Sequence, residues 1–354
     1  LLEFLKDSED KNSTMTDHYI ESSWSKQDAN FEMPLRPDSI DSFIGQDAVR
    51  ERLNVHIGAA KQRNEPLGHL LFFGPPGLGK TTLSYIIAKA MGTNLSSTSG
   101  PILEKPGDLA GVLTNLKKGD VLFIDEIHRL PRQTEEYLYS AMEDFTLDLL
   151  IDSGPNARSV QVTLEPFTLV GATTRSGFLS SPLRSRFASQ FRLDFYPPEV
   201  LKTIILRSSK LLSMNLEESA ALEVAKRARG TPRIANNLLR WVRDFAQMKN
   251  LSSINLSATK SALQMLSIDE KGLDEMDIKI LSVIQNHYNG GPVGIQTIAV
   301  AVGEEPTTIA EVYEPYLIMQ GFLRRTPRGR ELTNLAYEHL GLSKPKTLNH
   351  GDKS

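Results

Sequence analysis

The sequence predicts an α/β domain built on a mainly parallel sheet, followed by a small all-helical domain and a terminal winged helix-turn-helix. Up to about residue 196, short apolar runs alternate with helix-period patterns, which spells βαβ units. One such run, His69-Leu70-Leu71-Phe72-Phe73, leads straight into Gly74-Pro75-Pro76-Gly77-Leu78-Gly79-Lys80-Thr81-Thr82, a glycine-rich loop opening a helix. Beyond Pro197-Pro198 the spacing stays helical until two strand-like pieces near the end of the chain.

A chain of 354 residues is long enough for two or three domains. Its 40% apolar and 23% charged content is that of an ordinary globular protein. No run reaches the roughly 18 apolar residues that a membrane span requires and no secretory pattern opens the sequence, so a cytoplasmic protein with no membrane role is expected. The absence of cysteine excludes disulfides and thiolate metal sites. A net charge of −3 gives no global sign of polyanion binding, but charge is uneven. Residues 1–34 hold three Lys against eight Asp/Glu, whereas residues 324–354 hold seven Lys/Arg against three Asp/Glu, so any polyanion would be met at the far end.

Residues 1–30, polar, acidic and aperiodic, read as a mobile tail. The large domain is expected over 31–196. Order begins near Leu35-Arg36-Pro37, and caps and apolar anchors in 39–46 precede a helix over 49–61. Strands are expected at 69–73, 121–124 and 167–171, with helices at 81–91 and 133–142. Leu147, Leu149 and Ile151, then Val160, Val162 and Leu164, recur at period two around Gly154-Pro155-Asn156. They predict a β-hairpin inserted over 146–164, either packed on the body as an edge or exposed as a docking surface. Residues 197–267 read as a helical lid with helices at 199–211, 217–228, 234–248 and 257–266. Residues 268–342 read as the winged domain, with helices at 274–287, 295–302 and 308–320, strands at 321–325 and 330–333, and a closing helix at 334–340. A tail, 343–354, follows.

The glycine-rich loop is a phosphate cradle: Gly77 and Gly79 let backbone N–H groups converge on an anion at a helix N-terminus. Lys80 would reach the β- and γ-phosphates and the Thr81 hydroxyl a Mg²⁺ ion. Val121-Leu122-Phe123-Ile124-Asp125-Glu126 is an apolar strand ending in two carboxylates, suited to holding Mg²⁺ through water (Asp125) and polarising the attacking water (Glu126). The strand ending in Thr173-Thr174 would bring a hydroxyl to the same sheet edge, unless these threonines only cap or turn the chain. Arg184 and Arg186, on a turn after that strand, read as solvated surface or as an arginine finger; Arg233, opening a helix, raises the same choice. Arg324, Arg325, Arg328 and Arg330 lie within seven residues around Pro327 and Gly329, and on a wing they suit duplex DNA backbone phosphates. No aromatic residue is interleaved there, so base stacking is not indicated. His69, His128 and His287 show no metal-ligand spacing, and Met214, Met248, Met265 and Met276 read as core fillers.

Gly-Pro-Pro-Gly-Leu-Gly-Lys-Thr-Thr at 74–82, Phe-Ile-Asp-Glu-Ile-His-Arg-Leu at 123–130, Gly-Ala-Thr-Thr-Arg at 171–175, Ser-Pro-Leu-Arg-Ser-Arg-Phe at 181–187 and Arg-Gly-Thr-Pro-Arg-Ile-Ala-Asn at 229–236 follow the order of the AAA+ ATPases. Together with Thr-Ser-Gly-Pro at 98–101, Leu-Glu-Lys at 103–105, Gln-Gly-Phe-Leu at 320–323 and Arg-Thr-Pro-Arg-Gly-Arg at 325–330, they resemble the RuvB family of Holliday-junction branch-migration motors from about Leu35 to Leu342.

That resemblance implies an ATP hydrolase of recombination, repair and the SOS response, working as a homohexamer on four-way junction and duplex DNA. A RuvA-like junction-binding partner and a RuvC-like resolvase go with it. By the same resemblance Lys80, Thr81 and Thr82 bind phosphate and Mg²⁺, Asp125 and Glu126 form the Walker B pair, and Thr174 is the first sensor. Arg186 is a finger acting on a neighbouring subunit's nucleotide, and Arg233 is the second sensor. Leu35, Arg36, Ile44, Tyr196 and Pro232 enclose the adenine, and the hairpin docks the partner through Leu147, Leu149 and Ile151. The rival expectation is a DNA-binding switch of the initiator type, in which ATP binding matters more than turnover. A clamp-loader subunit is disfavoured by the terminal winged domain.

Overall fold

The computed structural model describes residues 33–150 and 159–342. The expected tails, Ile151 and the Gly154-Pro155-Asn156 turn lie outside the described residues. The chain forms two compact units. One contains the described residues up to Leu211 together with Gly230–Arg233; the other contains Leu212–Arg229 and the described residues from Ile234 on.

The first unit is built on five parallel strands, β1 (Leu70–Phe73), β2 (Leu95–Ser99), β3 (Val121–Asp125), β6 (Thr168–Thr173) and β7 (Ser189–Arg192), in the order β2-β3-β6-β1-β7. Strands β1, β3 and β6 are buried along almost their whole length because both sheet faces are covered, hence their continuous apolar runs. The sequence reading missed β2 and β7, whose Leu-Ser-Ser-Thr-Ser and Ser-Gln-Phe-Arg segments are the polar edges of the sheet. Helices α1 (Asp47–Arg63), α2 (Lys80–Met91), α3 (Pro106–Thr114), α4 (Arg132–Glu143), α5 (Ser181–Ser185) and α6 (Pro198–Leu211) complete this unit. Because β6 lies between β1 and β3, the ends of all three strands emerge along one edge, where Phe73 is in register with Thr173.

The inserted hairpin is β4 (Thr146–Leu150) paired antiparallel with β5 (Ser159–Thr163). Leu147 does not offer a docking surface: it is fully buried among Leu138, Met142, Leu164 and Phe167, because the hairpin's root closes the core beneath α4. Val160, on the same face but nearer the tip and in register with Leu149, is 43% exposed. The apolar stripe therefore runs out of the core into solvent.

The second unit contains α7 (Glu218–Arg227), most of α8 (Pro232–Met248), α9 (Leu256–Gln264), α10 (Glu275–Tyr288), α11 (Ile295–Val302), α12 (Glu314–Met319) and α13 (Asn334–His339). Its wing is β8 (Leu323–Thr326) paired with β9 (Gly329–Leu332). A π-turn at Ile309–Tyr313 precedes Pro315, which has no N–H to continue the helical ladder. The stretch 197–267 is divided between the units: α6 belongs with the first, α7 and α9 with the second. Within the second unit Arg229 explains the grouping. Its guanidinium is buried, pairs with Asp277 and with Asp274 (3.1 Å), donates to the Gly272 carbonyl (2.8 Å) and lies 5.0 Å over the Tyr316 ring. Met248 and Met265 are not core fillers: they are 83% and 65% exposed, at or just past the ends of α8 and α9 where the packed face runs out.

Burial pushes the Asp277 carboxyl up to about 8 against the pull of Arg229, with Asp274 pushing the same way. A carboxyl whose folded pKa exceeds its unfolded value holds its proton better when folded. Its stabilising contribution is complete below the unfolded value near 4 and is lost as pH rises through about 8. Thermal unfolding followed from pH 4 to 9 is expected to show this fall in the wild type and a flatter profile in Asp277→Asn; parallel profiles would refute the assignment.

Candidate active site

The loop between β1 and α2 curls because its glycines take left-handed backbone angles, and at two of them the space leaves no alternative. A side chain on Gly77 would strike Thr231 Cγ2 at 2.7 Å, and one on Gly79 (φ 105°) would press on the Phe43 ring at 3.1 Å. Lys80, the first residue of α2, is buried, and its ammonium donates to the carbonyls of Gly74 (2.8 Å) and Pro75 (2.9 Å). Burial draws its pKa down to about 8, against the fields of Asp125 and Glu126 and with that of Arg233. A desolvated cation with only carbonyl partners fits a phosphate, which would restore the lost solvation. Thr81 and Thr82 follow it, half-buried, in the first turn of the helix.

Asp125 ends β3 and accepts the Glu126 N–H (3.0 Å). Glu126 itself is left-handed (φ 46°), an unusual angle for a side-chain-bearing residue and one that turns it out of the strand direction. The Thr174 hydroxyl donates to Glu126 Oε2 at 3.1 Å. Thr173, fully buried, bonds instead to His128 Nδ1 (2.9 Å) and accepts the Arg175 N–H (2.9 Å). Both threonines thus enter the carboxylate's surroundings. His128, dismissed in the sequence for lack of metal spacing, lies 3.1 Å from Glu126 Oε2. Its position two residues after the acid was the only available signal.

Of the residues expected to enclose the base, Leu35 and Tyr196 are buried and Arg36, Ile44 and Pro232 half-buried, as is Arg233. The Tyr196 hydroxyl donates to the Leu78 carbonyl (3.1 Å), and its backbone N–H to the Gly230 carbonyl (2.8 Å). Arg36 lies 5.6 Å over the Tyr85 ring. An alanine-sized Cβ on Gly77 would lie 3.1 Å from Arg233 Cβ, so Arg233 stands beside the loop. Arg186 is engaged away from it, by Glu143 (3.0 Å), the Pro182 carbonyl (2.7 Å) and the Tyr139 ring (4.5 Å). Asp125 and the Thr81 hydroxyl are oxygen donors of the hard kind that suits Mg²⁺.

On the wing the four arginines separate. Arg325 and Arg328 are exposed. Arg324 is 67% exposed but pairs with Glu331 at 2.6 Å. Arg330 is not available to DNA: it is buried and makes a two-pronged pair with Glu314, both bonds 2.9 Å, because an otherwise isolated buried carboxylate needs it. Among the described residues no helix is long and apolar enough to cross a membrane.

Three domain descriptions match successive parts of the chain. They are the Holliday junction DNA helicase RuvB P-loop domain at residues 35–193, the RuvB AAA lid domain at 196–269 and the RuvB C-terminal winged helix domain at 270–341. The "Holliday junction branch migration complex subunit RuvB" of Protochlamydia amoebophila is 65% identical over 92% of this chain and 98% of its own length. The protein of the same description from Flavobacterium johnsoniae is 58% identical over 90% and 94%. The solved Thermotoga maritima RuvB Holliday junction branch migration motor superposes with a TM-score of 0.81 at 52% identity, covering 88% of this chain and all of the other. With P-loop, lid and winged-helix regions all matched in order and at this identity, the chain belongs to the RuvB family.

Proposed function

We propose that this protein hydrolyses ATP to drive duplex DNA through a homohexameric ring and so branch-migrates Holliday junctions. It would act in the cytoplasm during recombination and repair, with a RuvA-like partner on the junction and a RuvC-like resolvase downstream. The observation that carries this reading is Glu126, a carboxylate at the sheet edge held by Thr174 in the field of the buried Lys80. A site that only binds nucleotide has less use for a carboxylate so held.

In this reading Glu126 takes the proton of the attacking water, while Lys80 neutralises charge on the β- and γ-phosphates. Thr174 orients Glu126, Arg233 reports the γ-phosphate, and Leu35, Arg36, Ile44, Tyr196 and Pro232 enclose the base. Thr81 directly and Asp125 through water would hold Mg²⁺, which supplies charge neutralisation at the phosphates. Arg186 would leave Glu143 and serve a neighbouring subunit's nucleotide. Arg325 and Arg328, with Arg324, would meet backbone phosphates, and the hairpin's exposed apolar stripe would meet the partner. The large, lid and winged domains would span 31–196, 197–267 and 268–342.

Strand displacement from a synthetic four-way junction, with ATP, Mg²⁺ and the partner, tests the function. Turnover-independent, sequence-specific duplex binding would favour the initiator-type switch instead. Mixing Arg186→Ala with Lys80→Ala subunits tests the shared site. Each variant alone is expected to be inactive and mixtures to regain part of the rate; mixtures as inactive as their parents would count against a finger supplied in trans.

A further inference from the structure

We infer that Tyr139 is a positioning residue for Arg186: its ring is the platform over which the guanidinium turns from Glu143 toward a neighbouring subunit's nucleotide. This rests on the reading of Arg186 as a finger supplied in trans.

The platform is built from one face of α4. Glu135, Tyr139 and Glu143 follow at four-residue spacing, so they stand one above another on that helix. The Tyr139 hydroxyl donates to Glu135 Oε1 at 2.6 Å. The Ser180 hydroxyl donates to the same oxygen, and Ser180 also caps α5 by accepting the Leu183 N–H (3.2 Å). One carboxylate thus ties the tip of the ring to the start of the short helix that Arg186 ends. The guanidinium carbon of Arg186 lies 4.5 Å from the ring centroid, and its side chain is only 19% exposed.

The ring differs from the other two partners in what it takes. Glu143 and the Pro182 carbonyl accept N–H groups on the edge of the guanidinium, at Nη2 (3.0 Å) and Nη1 (2.7 Å). The ring meets its face and uses none of the five N–H groups. Nε is buried without a hydrogen-bond partner among the described residues, so it is the Nη edge that can be offered to a phosphate. Glu143 must give up that edge first, and because its carboxylate is 55% exposed the pair is one that solvent weakens. The ring gives up nothing. The same face contact serves the arginine before and after it leaves Glu143, and it narrows the orientations sampled between the two. A cation directed at developing charge requires aiming of this kind.

Steady-state ATPase assays of the full-length proteins with junction DNA and partner, alone and in mixed rings, test this. Tyr139→Leu is expected to lower kcat about tenfold, the loss of one shielded cation–π contact, with the KM for ATP within about twofold. Tyr139→Phe keeps the ring face and loses only the tie to Glu135, so it should retain most of the rate. Mixing locates the defect. Lys80→Ala subunits, which lack a working site but keep the finger, should restore turnover at the sites of Tyr139→Leu subunits, whereas Arg186→Ala subunits should not. Damage to a subunit's own site would give the reverse pattern, and that reverse overturns the inference, as does an unchanged kcat in Tyr139→Leu. Should the leucine variant fail to fold, Tyr139→Met fills the volume without a π face, and a rate equal to that of Tyr139→Phe overturns the inference. The mixture of Arg186→Ala with Lys80→Ala separates the underlying reading: no rescue there removes the finger itself, whereas rescue there beside a normal Tyr139→Leu removes only the platform.

Discussion

Lys80→Met is expected to lower ATP turnover by at least about a hundredfold, the scale on which losing one donor aimed at developing charge acts, while leaving the protein folded. The two halves of this expectation have separate physical origins. The ammonium is desolvated, and its hydrogen-bond partners are the carbonyls of Gly74 and Pro75, so its charge is costly to keep in the folded chain. Methionine has similar length and no charge, so it should fill the same space with unchanged or slightly raised thermal stability. What it cannot do is neutralise a phosphoryl group. Turnover assayed beside a melting curve checks both halves. A variant that hydrolyses ATP at the wild-type rate would end the P-loop reading, and one that melts well below the wild type would show that the cation serves the fold.

Arg330→Ala is expected to destabilise the second unit by about 3–5 kcal/mol, the usual effect of removing one partner of a buried ion pair. Glu314 would be left with a 4% exposed carboxylate and no cation on its two oxygens. Much of the effect should disappear in the double variant Arg330→Met with Glu314→Leu, which removes both charges and fills the volume. Arg325→Ala and Arg328→Ala should behave in the opposite way, with unchanged melting but weaker duplex binding at every sequence. Each would lower the slope of log affinity against log salt by about one. Chemical denaturation and a salt titration of duplex binding measure the two effects. Wild-type stability in Arg330→Ala, with DNA binding reduced as much as in Arg325→Ala, would restore Arg330 to the DNA surface.

The contrast between Arg325 and Arg330 shows where sequence reading stops. Both sit in one basic cluster and face each other across the wing, but only Glu314, sixteen residues upstream, makes one of them structural. Nothing in a charge run encodes that distance. Strands β1, β3 and β6 were legible because double-sided burial writes itself as an apolar run, whereas β2 and β7 carry polar edges and did not announce themselves. The glycine-rich loop and the Asp125-Glu126 pair were legible from spacing, since cradle and carboxylates each occupy consecutive residues. The place of His128 was not, because it depends on the left-handed turn at Glu126 and on Thr173, which is distant in sequence and brought close by the strand order. Leu147 and Val160 carry the same alternation, and it is depth along the hairpin, not pattern, that buries one and exposes the other.

The hairpin's root has a mechanical consequence. Phe145, just before β4, meets the Phe167 ring edge-on at 5.8 Å, and both rings lie against His69, which immediately precedes the strand feeding the glycine-rich loop. His69 is itself tied to the Met142 carbonyl and the Leu169 N–H. The base of β4 is therefore joined through aromatic edges to the residue that immediately precedes β1. Shifting the base of β4 would press first on His69, the residue from which that strand starts.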